Sequence, residues 1–219
     1  MAAAAVAARR LDGHDGHDAV RARYLDVDPV YAETRDLRLL GFTFFLMSDC
    51  VLFASFIFAY IYLRTSAPTW PPIVDGKQLP WFDTSFAAFN SIVLFGSGVT
   101  MHFALENWKH LNRRKFFGWI AATIVLGLGF LAGQAHEYTA VLLSGVTWPG
   151  STWGASFFTL TGMHGFHVFV GVCFLAILAL QASKGVYTGS KYFGLIAGTL
   201  YWHFVDVIWV GLFFLFYLW

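Results

Sequence analysis

The chain has 219 residues, of which 58% are apolar and only 12% are charged. A typical soluble domain is about 45–50% apolar and about 25% charged, so this sequence has too little polar surface to cover a globule. These values exclude a soluble nucleic-acid-binding protein, a disordered tail and a disulfide-stapled secreted domain. Cys50 and Cys173 lie in apolar runs and lack the spacing of a thiolate metal site or a redox pair. The composition indicates an integral membrane protein.

The first 36 residues differ in composition from the rest of the chain. An apolar stretch of only seven residues after Met1 precedes Arg9 and Arg10, which is unlike a secretory signal. The segment from Gly13 to Asp18 is polar and repeats Gly-His-Asp. We expect residues 1–36 to form a flexible, solvated arm. Adventitious metal binding by the repeat is the alternative.

Five apolar runs are long enough to cross a membrane, because a helix needs about 20 mainly apolar residues to span a hydrocarbon core of about 30 Å. The sequence therefore predicts an all-α, polytopic membrane domain at residues 37–219, a bundle of five transmembrane helices. The first connecting segment holds four of the six prolines together with Trp70 and Trp81, which is typical of a membrane–water interface. The predicted spans are residues 39–63, 85–106, 116–140, 154–182 and 194–219.

The lysines and arginines predict the orientation of these spans. Twelve of the 14 lie before the first span, in the second connection or in the fourth connection, and only Arg64 and Lys77 lie in the alternate segments. The positive-inside rule then places the amino terminus in the cytoplasm and the carboxyl terminus outside. An odd number of crossings requires termini on opposite sides, so the span count and the charge bias agree.

Ionisable side chains within spans are costly and are candidates for function. His164 with His167, and His203 with Asp206, have spacings that place both members on one helical face. The candidates for support of proton uptake or for structural polar contacts are Asp49, His102, Glu106, His136, Glu137, His164, His167, His203 and Asp206.

Three interpretations of these residues remain open from spacing alone. The histidines could ligate haem or another metal, although interhelical hydrogen bonds use the same residue types. Asp49 and Glu106 could belong to the proton or ion path of a transporter, although no repeated halves or broken helices are visible. The residues could instead connect the helices to one another and to a partner, which the spacing favours modestly. The G-x-x-x-G spacing of Gly129 and Gly133 favours packing within the chain over self-dimerisation.

The motifs become specific in the last span. The run from Tyr201 to Trp209, Tyr-Trp-His-Phe-Val-Asp-Val-Ile-Trp, resembles a signature of subunit III of the haem–copper respiratory oxidases. Four other segments resemble motifs of that family and occur in the same order along the chain. They are Met47-Ser48-Asp49, Trp70-Pro71-Pro72, Gly133 to Tyr138, and Ser156 to Val168.

This resemblance implies a subunit of a proton-pumping terminal oxidase in a bacterial-type cell (inner) membrane. In that family, haems and copper ions reside in subunits I and II, and subunit III has no redox centre of its own. Subunit III binds phospholipid and supports proton uptake and durability of the catalytic subunit. The expected partners are subunit I as the main contact, subunit II, a small subunit IV as a further candidate, and membrane lipids, with no nucleic acid. We expect Lys184, Lys191 and Trp202 to contact lipid headgroups.

The sequence departs from the family pattern in two respects. Longer members have two further spans before the position of Leu39, so the lipid sites cannot be transferred completely. Asp49 stands where many cytochrome c oxidases have glutamate, and Asp49-Cys50 resembles the quinol-oxidising branch. The other motifs resemble the cytochrome c branch more closely, so cytochrome c is the favoured donor. A subunit III-like protein of a nitric oxide reductase is a further alternative.

A carboxyl group at the middle of a span is costly when it faces lipid, by about 2.5–3.5 kcal/mol on insertion scales. We therefore expect Asp49 to lie at a contact between helices or subunits. There it would modulate proton uptake by the partner without being essential to oxygen chemistry.

Overall fold

The computed structural model describes residues 29–68, 70, 73–74, 77–78, 84–146, 148, 151–187 and 192–219. Over these residues the protein has five long helices and one antiparallel hairpin, whose two strands have two residues each. The hairpin pairs β1 (Ile73–Val74) with β2 (Lys77–Gln78). The helices are α1 (Pro29–Ser66), α2 (Thr84–Lys109), α3 (Arg113–Leu143), α4 (Thr152–Ser183) and α5 (Phe193–Phe213), and a π-helical turn (Phe214–Leu218) continues α5.

The prediction of an all-α protein with five membrane-spanning helices is confirmed. Each of the five described helices is long and apolar enough to cross a membrane. Helices α1 to α4 extend past the predicted bounds at both ends, most of all α1, which begins at Pro29. Proline is favoured at the first position of a helix because its missing N–H has no partner there in any case. Residues 29–36 are thus helical, and the rest of the predicted arm, residues 1–28, lies outside the described residues.

Short polar side chains cap the N-termini of two helices. The Asn112 side chain accepts a hydrogen bond from the Lys115 amide at 3.4 Å, and the Ser151 hydroxyl accepts one from the Gly154 amide at 3.0 Å. Such caps satisfy amide groups that have no partner within the helix. At the other ends of α3 and α4, Gly145 and Gly185 adopt positive φ angles of 88° and 73°, as is common where helices stop.

Helices α2 to α5 form a four-helix ring in which each helix packs against two neighbours. Helix α2 contacts α3 and α5, and α4 contacts the same two helices. Helix α1 lies outside this ring, against α4 and α5. The bundle therefore consists of a closed ring and one peripheral helix.

The indole of Trp202 occupies the inside of the ring. Its ring lies in a slot between Gly127 of α3 and Gly171 of α4, where an added Cβ atom would come within 2.8 Å and 2.9 Å of the indole. The indole Nε1 donates a hydrogen bond to the Ser97 hydroxyl of α2 at 2.9 Å. A single side chain of α5 thus contacts the other three helices of the ring. At Gly127 and Gly171, only glycine leaves room for the indole.

Helix α1 is attached by few contacts. Among its described side chains only Phe53 and Tyr60 are buried. The Tyr60 hydroxyl donates to the Leu215 carbonyl at 3.1 Å. The Arg64 guanidinium lies 4.1 Å from the centre of the Trp219 ring and donates to the main-chain oxygen of Trp219. Much of the apolar surface of α1 remains exposed on the bundle.

Candidate functional site: polar groups within the membrane domain

Asp49 and His167 form a contact between α1 and α4. Oδ2 of Asp49 lies 3.9 Å from Nε2 of His167, within the range of an ion pair but long for a hydrogen bond. His167 Nδ1 lies 2.8 Å from the Met163 carbonyl oxygen and donates to it, since a carbonyl can only accept. In the neutral ring, Nε2 then presents its lone pair to Asp49. One proton, on either the carboxyl group or Nε2, makes this contact attractive.

The surroundings of this pair come from three helices. The Tyr201 hydroxyl of α5 donates to the main-chain oxygen of His167 at 3.2 Å. The ring of Phe53, on α1, packs edge-on against the His167 imidazole at 5.0 Å. The pair is therefore enclosed at the α1/α4/α5 junction, which agrees with the expectation that Asp49 lies at an internal contact.

His203 and Asp206 form the second pair of an imidazole with a carboxylate. Nδ1 of His203 lies 3.9 Å from Oδ2 of Asp206. The Asp206 carboxylate lies directly against Gly98 of α2, where any side chain would collide with it. The predicted proximity of these two residues is confirmed.

His164 and His167, whose spacing places them on one helical face, contact different neighbours. The imidazole of His164 is fully buried and stacks on Trp209 with 4.8 Å between ring centres, while His167 faces α1. Among the described residues, neither nitrogen of His164 has a hydrogen-bond partner. Residues three apart are separated by about 60° around a helix, which is enough to place one imidazole in the ring interior and the other beside a peripheral helix.

A hydrogen-bond network between α3 and α4 was not predicted as such, although its residues fall in two recognised motifs. Nε2 of Gln134 donates to the Thr161 carbonyl at 2.6 Å and to the Tyr138 hydroxyl at 3.3 Å. The Tyr138 and Thr161 hydroxyl groups lie 2.7 Å apart. Uncharged polar residues recurring on one face of an apolar span are the signal that could have found it.

The other candidates on α2 and α3 lie nearer the helix ends. Glu106 pairs with Lys109 and His110, each at 3.1 Å, in a partly exposed cluster. Glu137 accepts a hydrogen bond from the Tyr217 hydroxyl at 2.7 Å. His102 and His136 are exposed and contact the rings of Phe103 and Phe86, respectively.

One of the three lipid-headgroup candidates is corrected by the structure. Trp202 is buried inside the ring, so its indole cannot reach a headgroup. Lys184 is exposed at the end of α4, where a headgroup could reach it. Lys191 lies outside the described residues.

At the same end of the bundle, Trp108, Arg113 and Tyr187 form a contact that we call the latch. It joins the end of α2 and the start of α3 to the segment after α4. The Arg113 guanidinium lies 3.6 Å from the centre of the Trp108 ring and donates to the Tyr187 carbonyl at 3.5 Å. The Tyr187 hydroxyl donates to the Gln181 side chain. Burial raises the pKa of the Tyr187 phenol above its usual value, so this hydroxyl stays a hydrogen-bond donor at neutral pH.

Two apolar grooves open on the surface of α4. One, of about 200 Å³, lies between α1 and α4 and includes Phe56 and Leu160. The other, of about 480 Å³, lies between α3 and α4 and includes Tyr138, Trp148 and Met163. Their lining suits apolar chains.

The histidines and carboxylates are arranged as separate pairs. Among the described residues, no group of three or more His, Cys, Asp or Glu side chains could hold a metal ion. A protein-bound zinc ion or a similar transition metal uses three or four protein ligands. The pairs instead form contacts between side chains at the junctions of the helices.

Comparison with known proteins agrees with the motifs. The family model described as cytochrome c oxidase subunit III matches residues 18–219. Cytochrome c oxidase subunit 3 of Synechocystis sp. is 36% identical over 187 residues, which are 84% of this chain and 76% of that protein. The protein of the same name from Bacillus subtilis is 34% identical over 185 residues, 83% of this chain and 86% of its own length.

A relative that is named as a subunit of a ubiquinol oxidase is nearly as similar to this chain. Cytochrome bo(3) ubiquinol oxidase subunit 3 of Pseudomonas putida is 32% identical over 186 residues, 85% of this chain and 87% of that protein. The match runs through all five helices and through every polar group described above. This chain belongs to the cytochrome c oxidase subunit III family.

Proposed function

We propose that this chain is the non-redox subunit III of a proton-pumping haem–copper terminal oxidase, which reduces oxygen to water. The observation that carries the proposal is the family match over residues 18–219. The motif residues Gln134, Thr161 and Trp202 build the contacts between helices. The family motifs in this chain therefore serve the architecture of the bundle.

The arrangement of the histidines supports a role without a redox centre. Bis-histidine ligation of a haem requires two imidazoles that face each other across the iron. His164 stacks on an indole, His167 faces a carboxylate, and His203 lies beside Asp206. In the proposed complex, the haems and copper ions belong to the partner subunits.

The proposed partners are subunit I as the main contact, subunit II, a small subunit IV and membrane phospholipid. The proposed location is a bacterial-type inner membrane, with the amino terminus in the cytoplasm. The latch at Arg113 and exposed Lys184 lie at the basic end of the bundle. That end would then face the anionic cytoplasmic leaflet.

Cytochrome c is the proposed electron donor, and quinol is the alternative that the Pseudomonas putida relative favours. Turnover of the purified oxidase with reduced cytochrome c and with a quinol distinguishes the two. A pair of cysteines with copper-site spacing in the accompanying subunit II would support cytochrome c. Turnover with quinol alone would contradict it.

Purification through an affinity tag on this chain tests the proposal. We expect two larger oxidase subunits and stoichiometric haem to copurify, and the dissociated chain to show no haem absorbance. A haem band that remains with the isolated chain would favour a membrane cytochrome instead. Ion or solute movement by the chain alone in liposomes would favour a transporter.

A further inference from the structure

The outer side of the junction between α2 and α5 carries polar groups where a lipid-facing surface should be apolar. We call this region the polar seam. It consists of Phe95, Gly98 and His102 on α2 with His203, Asp206 and Val207 on α5. The Asp206 carboxylate and the His203 imidazole lie at its centre, beside Gly98.

The centre of the seam lies at the middle of two membrane-spanning helices. Asp206 is 13 residues after Phe193 and 12 before Leu218, the ends of its span. Gly98 is 14 residues after Thr84 and 11 before Lys109. At about 1.5 Å per residue, both lie within about 3 Å of the middle of their helices. Lipid headgroups do not reach this depth, and acyl chains offer no hydrogen-bond donor.

The pair in the seam differs from the otherwise similar pair on α1. The side chain of His203 is 43% exposed, whereas that of His167 is 12% exposed. Each pair also has one buried carboxylate oxygen without a hydrogen-bond partner among the described residues, Oδ2 of Asp49 and Oδ1 of Asp206, so the exposed imidazole is the difference between them. An exposed imidazole in the middle of a membrane-spanning helix would be costly against lipid.

Apolar side chains surround this polar centre. Val207 is 68% exposed, and Phe95 and Val210 are also exposed. An apolar rim around a small polar centre is the pattern by which transmembrane helices recognise one another. The seam therefore combines packing surface with a specific hydrogen-bonding demand.

We propose that the polar seam is the docking surface for a transmembrane helix of another oxidase subunit. That helix would place a hydroxyl, amide or indole group against the exposed imidazole of His203, whose Nδ1 faces Asp206. The inference rests on the proposed function, since it requires an oxidase partner. It adds which face of the chain that partner occupies and which chemistry it presents there.

Site-directed photo-crosslinking in the intact oxidase tests the proposed surface. Benzophenone-bearing amino acids replace Val207 in the seam and, as a control, Phe58 of α1, which is similarly exposed at 72%. We expect Val207 to crosslink to a larger oxidase subunit at least fivefold more efficiently than Phe58. Crosslinks from Val207 to lipid alone, or to a second copy of this chain, would overturn the inference.

Substitutions of His203 test the hydrogen-bonding role. His203→Gln keeps a hydrogen-bonding side chain, and His203→Leu does not. We expect His203→Leu to lower retention of the chain on the oxidase during detergent washing by about tenfold, and His203→Gln by less than threefold. His136→Leu, at an exposed histidine of α3 outside the seam, is the matched control. Equal retention of the wild-type and His203→Leu chains, at equal amounts in the membrane, would contradict the inference.

The two proposals fail in different ways. If the wild-type chain does not copurify with oxidase subunits, the proposed function is wrong. If it copurifies but crosslinks from Val207 do not reach a larger subunit, the function stands and only the docking surface is wrong.

Discussion

The peripheral helix α1 is at least as apolar as most helices of the ring of α2 to α5, but much less of it is buried. In the most apolar window of each span, 11% of the residues of α1 are buried, against 28–44% in the four helices of the ring. Hydropathy therefore decides that a helix spans the membrane, and small and polar residues decide which helices pack together. Trp202 with its two facing glycines has no counterpart among the contacts of α1.

The two pairs of imidazole and carboxylate extend this comparison. Asp49–His167 and Asp206–His203 have the same separation of 3.9 Å. The first joins the peripheral helix to the ring, and the second lies within α5 beside α2. We therefore expect substitutions in the ring to lower the stability of the fold. Substitutions on α1 should loosen the packing of that helix on the ring or alter the function of partner subunits.

The largest effect is expected from filling the slot of Trp202. Gly127→Leu places a side chain where even a Cβ atom would lie 2.8 Å from the indole. Overpacking a tight core costs about 1–3 kcal/mol, and occasionally more, so we expect a loss of about 3 kcal/mol in the free energy of unfolding. Unfolding in mixed detergent micelles measures it.

Gly118→Leu is the control for this variant, because it lies in the same helix with no atom within 4 Å of its added Cβ. Its stability should stay close to that of the wild type. Equal destabilisation by both variants would show that the slot is not the cause.

A smaller effect is expected from removing the hydrogen-bond acceptor of Trp202. Ser97→Ala leaves the buried indole N–H without its partner at 2.9 Å. Interhelical hydrogen bonds in membranes contribute about 0.6 kcal/mol on average and up to about 1.7 kcal/mol, and we expect about 1 kcal/mol here. Ser55→Ala is the control, since that hydroxyl only bonds the Leu52 carbonyl of its own helix. A greater loss in Ser55→Ala would contradict the contrast between ring and peripheral helix.

On α1, removal of one attachment should loosen that helix and leave the ring unchanged. Tyr60→Phe deletes the hydrogen bond to the Leu215 carbonyl, with an expected loss of about 0.6 kcal/mol. Hydrogen exchange should rise in α1 alone, whereas Tyr62→Phe, at an exposed position, should change nothing. Increased exchange throughout α2 to α5 would mean that α1 belongs to the cooperative core.

The smallest effect is expected from Asp49→Asn. The amide preserves a polar contact at the α1/α4/α5 junction but cannot release a proton. We expect assembly and oxygen consumption close to normal, with at most a modest change in proton pumping, measured in reconstituted vesicles. Loss of most turnover in a fully assembled complex would assign Asp49 a proton-relay role instead.

The sequence was sufficient for the number and approximate bounds of the spans, because these depend on hydropathy summed over about 20 residues. It was insufficient for the direction of individual side chains. Tryptophan is common at membrane interfaces, yet Trp202 is internal because Gly127 and Gly171 face it from other helices. His164 and His167 share a motif but contact different helices. Contacts between helices distant in the sequence determine both outcomes.

The central claim, that this chain supports an oxidase without taking part in its redox chemistry, is tested most directly by oxygen consumption over time. The oxidase is purified from cells without this chain and from cells in which the chain is restored. We predict similar initial turnover per haem, but a shorter working lifetime and weaker proton pumping when the chain is missing. No initial turnover in an enzyme with its full haem content, or an unchanged lifetime and pumping, would contradict the claim.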